Sequence, residues 1–220
     1  MIKTVVFDMD GVIIDSEPIH MEIQNSLFSR FGIAISQDEY LSYIGRSSKN
    51  MWQELIQKFD LGVSVEEILA LDKQEYHLKL RSLSGLKAIS GVDDLIGELH
   101  NESLNLLLAS SSSMESISLV LDLFQLDRMF PNRISGADLE WSKPHPQIFI
   151  EAAKLTGNHP QECVVIEDSR HGVSAAKSAG MFCIGYQNPN SGNQDLRAAD
   201  LIVDDFTRLT VDMIMDIHGK

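Results

Sequence analysis

The chain has 220 residues, enough for one sizeable core and a small accessory domain, with an ordinary globular composition of 44% hydrophobic and 23% charged residues. Its formal charge of −14 speaks against nucleic acid and anionic membranes as partners. No apolar run reaches the roughly 18–20 residues of a membrane helix, and the N-terminus lacks the zones of a signal peptide, so a cytoplasmic location is expected.

In chain order, Ile2 to Phe7 is β-branched and apolar with little alternation, which predicts a strand buried on both faces. From about Ser16 to Ser82 no strand pattern occurs. Helical periodicity runs instead over Ile19 to Phe31, Asp38 to Tyr43, Lys49 to Phe59 and Val65 to Leu80, with Asp60-Leu61-Gly62 as a helix stop. Beyond Ile89-Ser90-Gly91, predicted helices (Val92 to Leu99, Met114 to Phe124, Pro146 to Leu155, Val173 to Ala179) alternate with short apolar strands. Those strands are Leu104 to Ala109, Cys163 to Ile166, Met181 to Gly185 and, more weakly, Leu201 to Val203. The alternation predicts an α/β fold, a parallel sheet covered on both faces. The helical block, 16–82, reads as a cap inserted after the first strand, and 1–15 with 83–220 as the core. Met213 and Met215 read as apolar positions of a last helix. Trp52 and Trp141 read as packing residues, and Cys163 and Cys183 as small buried hydrophobes in neighbouring strands.

In open parallel sheets ligands bind beyond the carboxyl ends of the strands, so the residues just past each strand are the candidates for chemistry. The first strand leads into Asp8-Met9-Asp10-Gly11-Val12-Ile13-Ile14-Asp15, which sets two carboxylates on the same side of an extended chain. The second leads into four serines, Ser110 to Ser113, and then a helix N-terminus that favours an anion. Glu167-Asp168 ends the strand that starts at Cys163, and Ser142-Lys143-Pro144 places a lysine in a turn before a helix. Four converging carboxylates need a cation, and an all-oxygen donor set suits Mg²⁺. Roles then divide: Asp8 as nucleophile, Asp10 as acid and base, Ser110 as donor to phosphoryl oxygens, and Lys143 as the positive charge beside Asp8. A calcium loop is disfavoured, because Gly11 comes too early and no Glu closes a twelve-residue loop. His145, His159 and His171 are dispersed and form no metal pair.

These four segments together resemble the motifs of the haloacid dehalogenase-like superfamily over almost the whole chain. They are most similar to its β-phosphoglucomutase-like branch, in which a small helical cap is inserted after the first motif of a Rossmann-like core. The resemblance implies Mg²⁺ held by the side chains of Asp8 and Asp168 and the backbone carbonyl of Asp10, with Glu167 close by or coordinating. It also implies that Ser111 and Ser112 help to bind the phosphoryl group. Gly45-Arg46-Ser47-Ser48-Lys49 matches the family's cap loop, and His20 matches a histidine at the junction of cap and core in the mutases. Arg46 and Lys49 read either as contacts to a second anionic group or as the solvated start of a helix.

Asp at position 10 fits phosphatases and mutases, and argues against dehalogenation. Two departures weigh against the mutase. Ser48 stands where β-phosphoglucomutases usually carry Arg, and Ser113 stands where a familiar mutase has Lys. The expected activity is therefore a Mg²⁺-dependent phosphatase for small sugar phosphates, working through an aspartyl phosphate as a monomer or weak oligomer. The alternative is a β-phosphoglucomutase.

Overall fold

The protein is described from a computed structural model, in which residues 1–43 and 47–217 are placed. Its first elements are β1 (Thr4–Phe7), α1 (Glu17–Phe31), α2 (Gln37–Leu41), α3 (Ser48–Phe59) and α4 (Val65–Ser82). These are followed by α5 (Val92–Asn101), β2 (Asn105–Ser110), α6 (Met114–Leu123), β3 (Asn132–Ser135) and α7 (Gln147–Thr156). The chain ends through β4 (Cys163–Glu167), α8 (Arg170–Ser178), β5 (Phe182–Tyr186), β6 (Leu201–Val203) and α9 (Val211–Met215). It divides into two compact units, one of Met1–Asp15 with Lys87–Lys220 and one of Ser16–Leu86.

The first unit is built on a six-stranded sheet in the order β3-β2-β1-β4-β5-β6, every neighbouring pair parallel. β1 is central, and all four of its residues are buried, which explains its unbroken apolar sequence. One face packs Val6, Leu107, Ala109, Val165 and Cys183 against Ile148, Phe149 and Ala152 of α7 and Val173 and Ala176 of α8. Cys163 and Cys183 are free thiols buried in that layer, and burial pushes the Cys163 thiol up to about 11.

The sheet gains one strand that sequence reading does not find. β3 carries a single well-buried aliphatic, Ile134, because it is an edge strand whose existence rests on pairing with β2. Helix α8 starts three residues before Val173. Its polar first turn hides from apolar periodicity, and Ser169 caps it by accepting from Gly172 N. In α9 the fully buried residue is Ile214, whereas Met213 is exposed. Trp141 does not pack as expected: it is 53% exposed and lies beside His145.

The second unit is helical. Trp52 is fully buried, meets Phe28 edge-on at 5.6 Å, and donates from Nε1 to Asp72 at 2.9 Å. Burial raises the Asp72 carboxyl, against the pull of the Trp52 bond and of His20. The stop after α3 is taken by Asp60, itself left-handed at φ 48°, and not by Gly62. Among the described residues no helix is long and apolar enough to cross a membrane.

Candidate active site

The turn after β1 is locked by its apolar residues. Met9, Val12, Ile13 and Ile14 are all fully buried, and the Met9 carbonyl accepts from the N–H groups of Val12, Ile13 and Ile14. Gly11 closes the turn at φ +78°, a left-handed conformation that suits glycine. It has a second reason to be glycine, since a Cβ there would overlap the Asp168 carboxylate. The sequence thus sinks the hydrophobic side of the motif into the core and leaves its carboxylates at the sheet's carboxyl edge.

Asp8 follows β1 directly, its N–H bonded to the Ile166 carbonyl of β4 at 3.0 Å. The Lys143 ammonium reaches it from the 142–146 turn. It donates to Asp8 Oδ1 at 2.6 Å, to Glu167 Oε1 at 2.7 Å and to the Ala109 carbonyl at 3.3 Å. Side-chain exposure is 8% for Lys143, 8% for Asp8 and 1% for Glu167, so this is a dry three-membered ion cluster. Glu167, the last residue of β4, is held at its other oxygen by Ser169 N at 2.8 Å and Ser169 Oγ at 3.0 Å.

Burial pushes the Asp8 carboxyl well above the usual range. Lys143 pulls it back, while the Glu167 and Asp10 carboxylates push it further up. Burial opposes the charge on Lys143, but Asp8 and Glu167 outweigh it and hold the ammonium above its ordinary value. One lysine is not enough positive charge for this set of acids. Asp8, Glu167 and Asp168 each offer an oxygen, all within 4.8 Å of one another. Buried, all-oxygen and negatively charged, the set fits a hard divalent cation such as Mg²⁺. Both Glu167 oxygens are already engaged, by Lys143 and by Ser169.

Asp10 lies on the other side of this mouth. Ser112 Oγ donates to its Oδ2 at 2.8 Å, and Ser110 Oγ approaches the same oxygen at 3.4 Å. Ser110 Oγ also accepts from Ser112 N at 3.0 Å, so the two serines form one small scaffold at the end of β2. Ser111 is exposed beside Gly136.

A family profile described as haloacid dehalogenase-like hydrolase matches residues 5–186. The chain belongs to this family. Hexitol phosphatase B of Escherichia coli is 29% identical, over 95% of this chain and 95% of its own. The β-phosphoglucomutase of Bacillus subtilis is 27% identical, over 96% and 93% respectively. The crystal structure of a β-phosphoglucomutase from Clostridium difficile superposes with a TM-score of 0.85 at 26% identity, covering 100% of this chain and 98% of that one.

In this haloacid dehalogenase-like enzyme the structure gathers Asp8, Asp10, Ser110, Ser112, Lys143, Glu167 and Asp168 at one edge of the sheet. Of the remaining residues suggested by sequence, Ser111 follows β2 in the first unit, and His20 and Lys49 belong to the helical unit. His20 stacks on Tyr76 with ring centroids 4.4 Å apart, and Lys49 is exposed in the first turn of α3. Gly45 and Arg46 lie outside the described residues. Sequence reading missed three residues that shape the site. Gly172 gives room to the Glu167 carboxylate, which a Cβ would overlap. Asn188 and Ser191, from the loop after β5, bond to Gly11 and Asp168. A buried polar pair in a loop leaves no periodic signal.

Proposed function

We propose that this enzyme is a Mg²⁺-dependent phosphatase that moves the phosphoryl group of a small sugar phosphate onto Asp8. The observation carrying the reading is the pairing of two differently held carboxylates: Asp8 bonded to Lys143, and Asp10 bonded to Ser112. A buried carboxylate beside a fixed ammonium is a positioned nucleophile. A second one, partly exposed and held by hydroxyls, is placed to exchange a proton.

An Asp8 oxygen forms the new bond to phosphorus as the ester O–P bond breaks, and Asp10 gives its proton to the leaving oxygen. Asp10, now ionised, takes a proton from the water that attacks the phosphoaspartate, which frees Asp8 and releases inorganic phosphate. Lys143 and the hydroxyl of Ser110 offset the developing charge, as do Ser111 and Ser112 at the end of β2. Asp8 and Asp168 would hold Mg²⁺ with the Asp10 backbone carbonyl, and Glu167 beside them. The bound ion supplies charge neutralisation to the phosphoryl group. From the family resemblance we assign substrate choice to the helical unit, through His20, Gly45, Arg46 and Lys49, and the protein works as a monomer or weak oligomer.

The two named relatives support a sugar phosphate as substrate, one being a hexitol phosphatase and the other a β-phosphoglucomutase. Hydrolysis is favoured over the mutase because Ser113 caps α6, its Oγ accepting from Ser116 N and sharing a hydrogen bond with Ser116 Oγ. The position offers no cation to a second phosphate. Purified enzyme with Mg²⁺ is to be incubated with hexose, pentose and hexitol phosphates, and products followed by phosphorus NMR. Inorganic phosphate as the main product supports the reading. Glucose 6-phosphate formed from β-glucose 1-phosphate and a trace of the 1,6-bisphosphate, without phosphate release, overturns it in favour of the mutase.

A further inference from the structure

We propose that residues 187–194, the loop after β5, form a strap that holds Asp168 and the turn after β1 in register, and that Ser191 is the positioning residue through which the strap sets Mg²⁺ affinity. The inference rests on the metal site of the phosphatase reading.

The segment is polar and lies beyond the sheet, yet two of its residues are buried: Asn188 is 4% exposed and Ser191 2%. Polar side chains are buried at a cost unless they are bonded. Both are bonded, and to the site. Ser191 Oγ donates to Asp168 Oδ2, and Asn188 Nδ2 donates to the Gly11 carbonyl at 3.0 Å. Asn190 N donates to Asn188 Oδ1 at 2.8 Å, which fixes the amide's orientation, and Asn190 Nδ2 reaches Asp15 at 2.6 Å. At the far end Gln194 ties the strap to α8, donating to the Ser191 carbonyl at 3.0 Å and accepting from Arg170 N at 3.0 Å.

Gly11 completes the packing. A Cβ there would stand 3.0 Å from Ser191 Oγ as well as overlapping Asp168. Turn, carboxylate and strap are therefore in direct contact. Lys143 fixes Asp8 and Glu167 through its two ion pairs, and the strap does the same for Asp168 through a hydroxyl. A carboxylate ligand held by an outer hydrogen bond is already oriented for the cation, and removing such partners typically weakens metal binding about 10–100-fold.

The test is calorimetric titration of Mg²⁺ into the full-length, substrate-free protein. Ser191→Ala is expected to raise the Mg²⁺ Kd at least about tenfold, with a melting temperature in EDTA close to wild type, and much of kcat returning at high Mg²⁺. Ser191→Thr, which restores the hydroxyl, is expected to bind Mg²⁺ more tightly than Ser191→Ala. Ser191→Cys matches the serine in shape but donates poorly, so it is expected to bind like the alanine variant, and it carries the test if Ser191→Ala does not fold. A wild-type Mg²⁺ Kd in the alanine or cysteine variant overturns the proposal, as does wild-type protein that binds no Mg²⁺. Wild-type protein that binds Mg²⁺ but hydrolyses no sugar phosphate refutes the phosphatase reading alone, and the comparison of Kd values still decides the role of Ser191.

Discussion

Replacing Gly172 by alanine gives a test in which two physical arguments predict opposite signs. Helix propensity alone says that Gly→Ala in α8 stabilises by up to about 1 kcal/mol. The structure says otherwise, because the new Cβ would overlap the carboxylate of Glu167, which is 1% exposed and has nowhere to retreat. Moving that carboxylate breaks its bonds to Lys143 at 2.7 Å and to Ser169 at 2.8 and 3.0 Å. Hydrogen bonds to charged groups contribute about 1.5–3 kcal/mol each, and overpacking costs about 1–3 kcal/mol. With partial relaxation and the helix gain set against these, the net loss is about 2–5 kcal/mol. A chain of this size changes Tm by about 2–4 °C per kcal/mol, so the variant melts roughly 4–20 °C below wild type. Thermal denaturation followed by circular dichroism in EDTA measures this without the metal's contribution. The Glu167→Ala background supplies the internal control. With the carboxylate gone, Gly172→Ala becomes neutral or stabilising, giving a coupling of at least about 2 kcal/mol. A Gly172→Ala protein that melts at or above wild type would refute the claim that this glycine exists to seat Glu167.

The remaining expectations concern the carboxylates. Asp8→Asn abolishes turnover while circular dichroism shows a native fold; near wild-type activity would end its assignment as nucleophile. Asp10→Asn lowers kcat by at least about 100-fold, the scale of acid–base catalysis, while Mg²⁺ titration gives an affinity near wild type, because the expected ligand there is the backbone carbonyl. In metal-free protein, burial with the Glu167 and Asp10 charges, against Lys143, raises the Asp8 carboxyl from 3.8 to about 8. The folded state then keeps a proton that the unfolded chain releases. Asp8's contribution to stability is full below the unfolded value and is lost as pH rises through the folded one. Mg²⁺ binds the ionised form, so the Tm gained on adding Mg²⁺ grows between about pH 4 and about pH 8. A gain that shrinks over that window contradicts the placement of Asp8 at the metal.

The alternation of apolar strands and amphipathic helices was legible in the sequence, because burying a parallel sheet on both faces forces continuous apolar runs such as Val5–Phe7 and Cys163–Ile166. The acids of the candidate site were legible for a related reason: the carboxyl ends of those runs are where such a sheet binds ligands, so position singles out Asp8, Asp10, Glu167 and Asp168 as candidates. Lys143 was legible less directly, as a lysine in a turn. That it joins Asp8 to Glu167 is a contact across 135 and 24 residues of chain. Tertiary structure alone decided β3, whose edge position asks little of its side chains; the start of α8 was open in the sequence between Asp168 and Ser169, and the cap falls on Ser169. Tertiary structure also decided the strap of Asn188 and Ser191, and the need for glycine at 11 and 172. The β3 pairing, the strap and the fit of Gly11 against Asp168 each depend on one atom's approach to another far along the chain, and the Gly172–Glu167 contact lies in a turn that leaves no periodic signal. Periodicity records which face of an element is buried; it carries no record of which polar atom meets which, and that pairing is settled only when the elements pack.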